Sequence, residues 1–185
     1  SGSESGSDET IEPVVNAYIN EFPVVGICLE TCKHTLDEYI LANDDIGSEQ
    51  WIAIFGQIIF QLIAYQKIFK FTHNDLHASN IMYIETDKQF LFYVCNNKYY
   101  KIPTFGKIWK IIDFGRSIYT INGAVICSHS FAPDEDASTQ YNCEPFYNPK
   151  KPVVEPNFSF DLCRFGCALF ETFFEDLNML NSPEK

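Results

Sequence analysis

A mixed α+β fold is predicted by three features of the sequence. From Ile52 to Tyr65 the chain is almost wholly apolar, as a buried helix requires. From Ile81 onward the pattern shortens into bursts rich in β-branched and aromatic residues. With 46% hydrophobic and 16% aromatic residues, a chain of 185 can fill one ordinary core.

Each element follows from local chemistry. Residues 1–12, SGSESGSDETIE, are acidic and rich in Gly and Ser, and are expected to be a disordered tail outside the fold. VVNAYI and VVGICLE flank Asn20-Glu21-Phe22-Pro23, which predicts two strands joined by a tight connection between Pro13 and Leu29. Thr35 is placed to cap a short helix whose first turn holds Asp37 and Glu38. After the turn formers at 43–47, Ser48 can cap a long helix running to about Phe69. That helix is apolar nearly all round, so it is expected to be surrounded. Gln57 and Gln61 interrupt it and the run is short for a bilayer, which favours a core helix over a membrane span. IMYI, FLFYV, KYYKI and KIWKII then read as hairpins ending at Asp113-Phe114-Gly115. Residues 116–157 hold five of the nine prolines and little periodicity, and predict a long loop; FSFDLCRFGCALFETFF, from Phe158, resumes a helical pattern.

Charge and cysteine usage exclude several classes. Thirteen Lys and Arg against 25 Asp and Glu leave a net charge of −12 with no basic patch, so no nucleic-acid partner is expected, and no membrane partner either. Seven cysteines without the paired spacing of a secreted scaffold, behind an N-terminus lacking a signal-peptide pattern, predict an intracellular protein with reduced thiols. The sequon Asn157-Phe158-Ser159 is then fortuitous. Cys28 and Cys32, like Cys163 and Cys167, lie in apolar settings and are expected to be buried free thiols. His34 and His129 read as surface histidines, while Trp51, Trp109 and most phenylalanines read as core.

The polar segment FTHNDLHASNIMY, residues 71–83, stands out between apolar neighbours. His73 and His77 are four apart, as in helical zinc pairs, but the acid is misplaced for His-Glu-x-x-His and the segment does not continue a helix. A second reading is a capped turn between helix and strand. The third is chemical: His73-x-Asp75-x-x-x-x-Asn80 follows a buried helix, and Asp113-Phe114-Gly115 closes a later strand.

Those two motifs resemble the catalytic loop and the metal-binding Asp-Phe-Gly of protein kinases, in order, spacing and setting. LETCKHTLDEYI, residues 29–40, is similar to a kinase hinge and the helix after it, with Leu29 in the gatekeeper place; SFDLCRFGCALFE is similar to the start of the large helix whose aspartate anchors the catalytic loop. The resemblance implies a mainly helical kinase C-lobe with a hinge strand pair and a β-ribbon. Residues 13–34 would be partial N-lobe strands and hinge, and 35–185 a truncated C-lobe.

By position, the resemblance assigns Asp75 to orient and deprotonate a substrate hydroxyl, with Asn80 and Asp113 as Mg²⁺ ligands. It gives His73 the role of bracing the loop against Phe114, and Asp161 that of holding the loop's backbone amides. The backbone of Glu30 and Cys32 meets the adenine of ATP, with Met82 beneath the ring. His77 stands where a lysine is usual and contacts the γ-phosphate, and Asn74 replaces the usual arginine, which removes the reader of an activation-segment phosphate. Arg116 faces either phosphate or a structural carboxylate, and Ser128, Ser130 and Thr139 are candidate phosphorylation sites in an ordinary loop.

No glycine-rich loop, Val-Ala-x-Lys strand or Ala-Pro-Glu is found, and the N-lobe is expected to be largely missing, with its segment a possible partner. IPTFGKIWKIIDFGRS and FDLCRFG are most similar to atypical haspin-type kinases and kinase-like proteins of giant DNA viruses, which implies a viral source and a place in the host cell or virion. The implied activity is ATP- and Mg²⁺-dependent phosphorylation of a protein Ser/Thr hydroxyl. Two alternatives stand beside it: a silent kinase-like interaction module, and a small-molecule kinase, whose loops also carry HxDLHxxN.

Overall fold

The computed structural model describes residues 21–43 and 45–173, the last three by backbone alone. Two units divide after Glu30. In the first, residues 22–30 form no helix or strand and all are exposed. The strand expected at VVGICLE is therefore not formed: strands exist only as paired ladders, and no backbone bond among the described residues reaches Val24 to Leu29. The expected tail at 1–12 and the strand at VVNAYI lie outside the described residues.

The second unit mixes three helices with three antiparallel strand pairs among its described residues, rather than being mainly helical. Helix α1 spans Leu36–Leu41 and α2 Ser48–Phe69. Thr35 and Glu38 form a reciprocal capping box on α1, each side chain bonding the other's backbone N–H, as the sequence predicts. At the other end of α2, Lys70 takes a left-handed conformation with φ of 50°, which stops the helix and turns the chain into the polar segment.

Strand β1 spans Ile81–Glu85, β2 Phe90–Cys95, β3 Lys98–Pro103 and β4 Lys107–Ile111. Their pairing is nested: β1 pairs with β4, setting Ile81 opposite Ile111, and the β2–β3 hairpin lies between them in sequence. Asn96 and Asn97 both have positive φ, as a two-residue hairpin turn requires. Strands β5, Ile118–Ile121, and β6, Ala124–Cys127, form a further hairpin inside the stretch expected to be a loop. Its turn is Asn122-Gly123, also with positive φ at both positions, so the expectation is corrected by a signal present in the sequence. Helix α3 spans Phe160–Phe173.

One core joins α1, α2, β1, β4 and α3, and a second, smaller cluster of Ile118, Phe131 and Ala137 lies with β5 and the loop beyond it. Leu36, Ile58, Leu62, Leu76, Ile81, Trp109 and Phe165 are among the nearly inaccessible members of the larger core. The glutamines of α2 explain themselves here. Gln57 donates to Lys107 O at 3.2 Å and accepts from Trp109 N at 2.9 Å; Gln61 donates to Trp109 O at 2.9 Å and accepts from Ile111 N at 3.3 Å. Set one turn apart, they complete the edge of β4 that β1 leaves open, so its buried amides and carbonyls are not orphaned. This stitching fixes the strand that leads into Asp113.

Helix α2 is not surrounded. Ile52 and Ile68 are 65% and 66% exposed, so the all-apolar pattern overstates its burial. By length and composition alone it is a helix that could cross a membrane, but its glutamines, Gln57 buried and Gln61 partly so, are engaged with β4. The cysteines are free as expected, yet Cys28, Cys163 and Cys167 are exposed, and Phe92, Phe105, Phe158 and Phe170 also face solvent. For Cys163, Cys167 and Phe170 the reason is helix geometry: α3 turns Phe165 and Leu169 inward and carries these on other faces. His34 and His129 are exposed as expected, each within ion-pair distance of a glutamate, Glu38 and Glu135.

Candidate active site

The polar segment is held from below by α3. Asp161 is fully buried; its Oδ2 accepts from His73 N and its Oδ1 from Asn74 N, each at 2.9 Å. Burial pushes the Asp161 carboxyl above its ordinary range, while the two N–H bonds and the His73 ring pull it back. The anchoring expected of Asp161 is thus present as geometry.

His73 is equally buried, and both its ring nitrogens are engaged. Its Nε2 lies 2.8 Å from Ile112 O, and its Nδ1 accepts from Asp75 N at 3.3 Å. The pair of contacts assigns the neutral tautomer with hydrogen on Nε2. A zinc pair with His77 is therefore not formed, because neither nitrogen of His73 is available. The ring of Phe114 lies 5.8 Å from that of His73 and 5.7 Å from that of Phe71.

Ile112 joins the two motifs. Its carbonyl faces His73, and its N–H donates to Asn80 O at 3.0 Å, continuing the β1–β4 ladder by one step. Asp113 follows at once with φ of 59°, a left-handed turn stabilised by its own carboxylate accepting from Gly115 N at 3.2 Å. A Cβ on Gly115 would come within 3.1 Å of that same oxygen, so a side chain there would press on the turn.

Asn80 is buried, and its amide Nδ2 lies 2.9 Å from Asp75 O and 3.1 Å from His77 Nε2. The donor side of the amide is thereby occupied and its oxygen is the group left for a cation. Leu76, fully buried between Asp75 and His77, pins the segment to the core and leaves its two neighbours partly in solvent. Asp75 Oδ2 is 4.0 Å from His77 Nε2, and Asp75 Oδ1 is 3.9 Å from the Arg164 guanidinium of α3. Both are ion-pair distances, too long for hydrogen bonds.

Asn74, 4% exposed, is a clamp. From a left-handed conformation with φ of 68° it donates to Arg116 O at 2.9 Å and to Thr72 O at 3.3 Å, and accepts from Tyr141 OH at 2.7 Å. Three separate segments meet on this one amide. Arg116 pairs with Asp136, the structural alternative of the two weighed for it. Ser128 caps the turn at Ser130, whose backbone carbonyl accepts from Ala137 N at 2.9 Å, so two of the candidate phosphorylation sites belong to a folded loop.

Three predicted residues remain. Met82 is half-buried on β1, bridged to Thr35, and Cys32 is half-buried beside Lys33, whose N–H bonds Tyr83 O at 2.8 Å. Glu30 is exposed within the first unit. Two cavities are lined by other residues than Asp75, His77, Asn80 and Asp113: one of about 310 Å³ by Tyr65, Phe69, Phe71, Phe114, Tyr119 and Ile121, and one of about 540 Å³ whose lining includes Phe131, Tyr141, Asn142 and Lys151. The residues missed from sequence are Gln57, Gln61, Tyr141 and Arg164; only the polar interruption of an apolar helix signalled the first two.

Compared with known proteins, the chain matches no protein-family model and no curated sequence.

Proposed function

We propose that the second unit is a protein-kinase-like C-lobe portion that transfers a phosphoryl group from a nucleoside triphosphate, ATP, to a protein Ser or Thr hydroxyl. One observation carries the reading: Asp75 and Asn80, on one segment, are tied to the distant Asp113 through His73 and the backbone of Ile112.

The chemistry fits the groups. A carboxylate flanked but not hydrogen-bonded by His77 and Arg164 is free to receive a proton. Asp75 would accept it from the acceptor hydroxyl as the new O–P bond forms and the bond to the departing diphosphate breaks. Asn80 Oδ1 and the Asp113 carboxylate oxygen not bonded to Gly115 are hard oxygen donors, the set that suits magnesium. Mg²⁺ held there would neutralise phosphate charge. His73 holds Asp75 and the Asp113 turn at a fixed separation, and Asp161 keeps the loop in place.

The test is a magnesium-dependent nucleotide titration of the native chain against Asp113→Asn. Tight binding lost on substitution is the expected result; negligible binding by both would remove the enzyme reading. That second outcome would favour a silent kinase-like interaction module, for which the exposed Phe92, Val94 and Tyr99 of the β2–β3 hairpin supply an apolar surface.

A further inference from the structure

The Asp75 carboxylate has two neighbours capable of positive charge, and they are not equivalent. His77 Nε2 lies 3.1 Å from Asn80 Nδ2, an amide nitrogen that can only donate, so in this arrangement His77 Nε2 is an unprotonated acceptor. Arg164, through its guanidinium, reaches the other carboxylate oxygen at 3.9 Å. It stands on α3 three residues after Asp161, one turn along the same face. One helix thus grips the segment's backbone with a buried carboxylate and addresses its exposed carboxylate with a cation.

A proton-accepting carboxylate beside a polyphosphate has an electrostatic difficulty. Its own charge repels the phosphoryl group moving toward the acceptor oxygen, and the chain's net charge of −12 adds to that repulsion. A guanidinium near Oδ1, the carboxylate oxygen that His77 does not approach, both orients the carboxylate and offsets its charge. At nearly 4 Å it does so without a hydrogen bond that would compete for the incoming proton.

We infer that Arg164 is a positioning residue for phosphoryl transfer, holding and screening Asp75 on the acceptor side of the site. The inference rests on the phosphotransfer reading above, and its test separates the two. Native chain, Arg164→Gln, Arg164→Lys, Asp75→Asn and the Asp75→Asn/Arg164→Gln double variant are compared for turnover of Mg-ATP, with casein and with water as acceptors, and for Mg-ATP affinity and thermal midpoint. Arg164→Gln is expected to lower kcat on the order of tenfold to a hundredfold, the effect of a misplaced catalytic group. Mg-ATP affinity should stay within about twofold, because the nucleotide-side donors Asn80 and Asp113 are untouched. Arg164→Lys should recover most of the rate, and the double variant should be no slower than Asp75→Asn, since the arginine acts through that carboxylate. Native turnover in Arg164→Gln, or parallel loss of affinity, stability and rate, would overturn the inference while leaving the phosphotransfer reading intact. Absence of turnover by the native chain would overturn both.

Discussion

His73, Asn74 and Asp161 are at most 4% exposed and bonded at every position described, whereas the Asp75 and His77 side chains, on the same segment, keep 31% and 28% of their surface in solvent. The first group fixes the backbone; the second has looser side-chain neighbours, Arg164 at 3.9 Å from Asp75 and Asn80 at 3.1 Å from His77. Buried polar groups with all partners present make a rigid frame, because each broken bond leaves an unpaired group in a low-dielectric interior. Reactive carboxylates need the reverse, an oriented position with open lone pairs. The contrast lies within one short stretch, residues 73–77, and it makes definite demands.

The largest effect should come from the frame. Asp161→Ala removes the acceptor of two buried N–H groups and is expected to cost about 3 kcal/mol or more in urea unfolding; a loss under about 1 kcal/mol would mean that the loop holds itself. Asp161 also predicts a pH signature. Its folded carboxyl is raised, so the part of stability linked to its protonation is full below the ordinary carboxylate value near 3.8 and is lost as pH climbs through the raised one. Unfolding of native chain and Asp161→Asn across that acidic window should diverge in slope, and parallel curves would contradict the raised value.

Next in size is the stitching of β4. Gln57→Leu keeps the bulk on α2 but orphans Trp109 N–H and Lys107 C=O, for an expected loss of about 2 kcal/mol by the same measurement. Tyr141→Phe removes a single hydroxyl bond to Asn74 and should cost about 1 kcal/mol, with faster amide exchange at Asn74 and its neighbours marking a loosened clamp. Smallest is the reactive group itself. Asp75→Asn should change stability by no more than about 0.5 kcal/mol, while lowering transfer to a small residual rate; a large destabilisation would place Asp75 in the frame and erase the distinction.

Much of this organisation was legible in the sequence. Thr35 and Glu38 announce α1, periodicity announces α2, and the alternating runs place β1 to β4 within a residue or so of their ends. The polar segment and Asp113-Phe114-Gly115 were recognisable because they combine chemistry-bearing residues at fixed spacing. What was not legible depended on tertiary partners. Val24 to Leu29 have strand-like composition but no ladder, and α2 has the composition of a surrounded helix yet leaves Ile52 and Ile68 in solvent. Gln57 and Gln61 read as interruptions until β4 lies beside them. Tyr141 and Arg164 carry no local pattern, since their partners Asn74 and Asp75 are far away in sequence. The β5–β6 hairpin was readable from Asn122-Gly123 and was obscured by the prolines further along the same stretch.

The most direct measurement is of where a divalent cation sits. With nucleotide present, Mn²⁺ substituted for Mg²⁺ should broaden the backbone amide signals of Asn80, Asp113 and Gly115 together, and at far lower metal concentration than any other group of residues. Broadening of Asn80 without Asp113, or first at acidic clusters elsewhere on the chain, would contradict a shared cation site at the joined ends of β1 and β4.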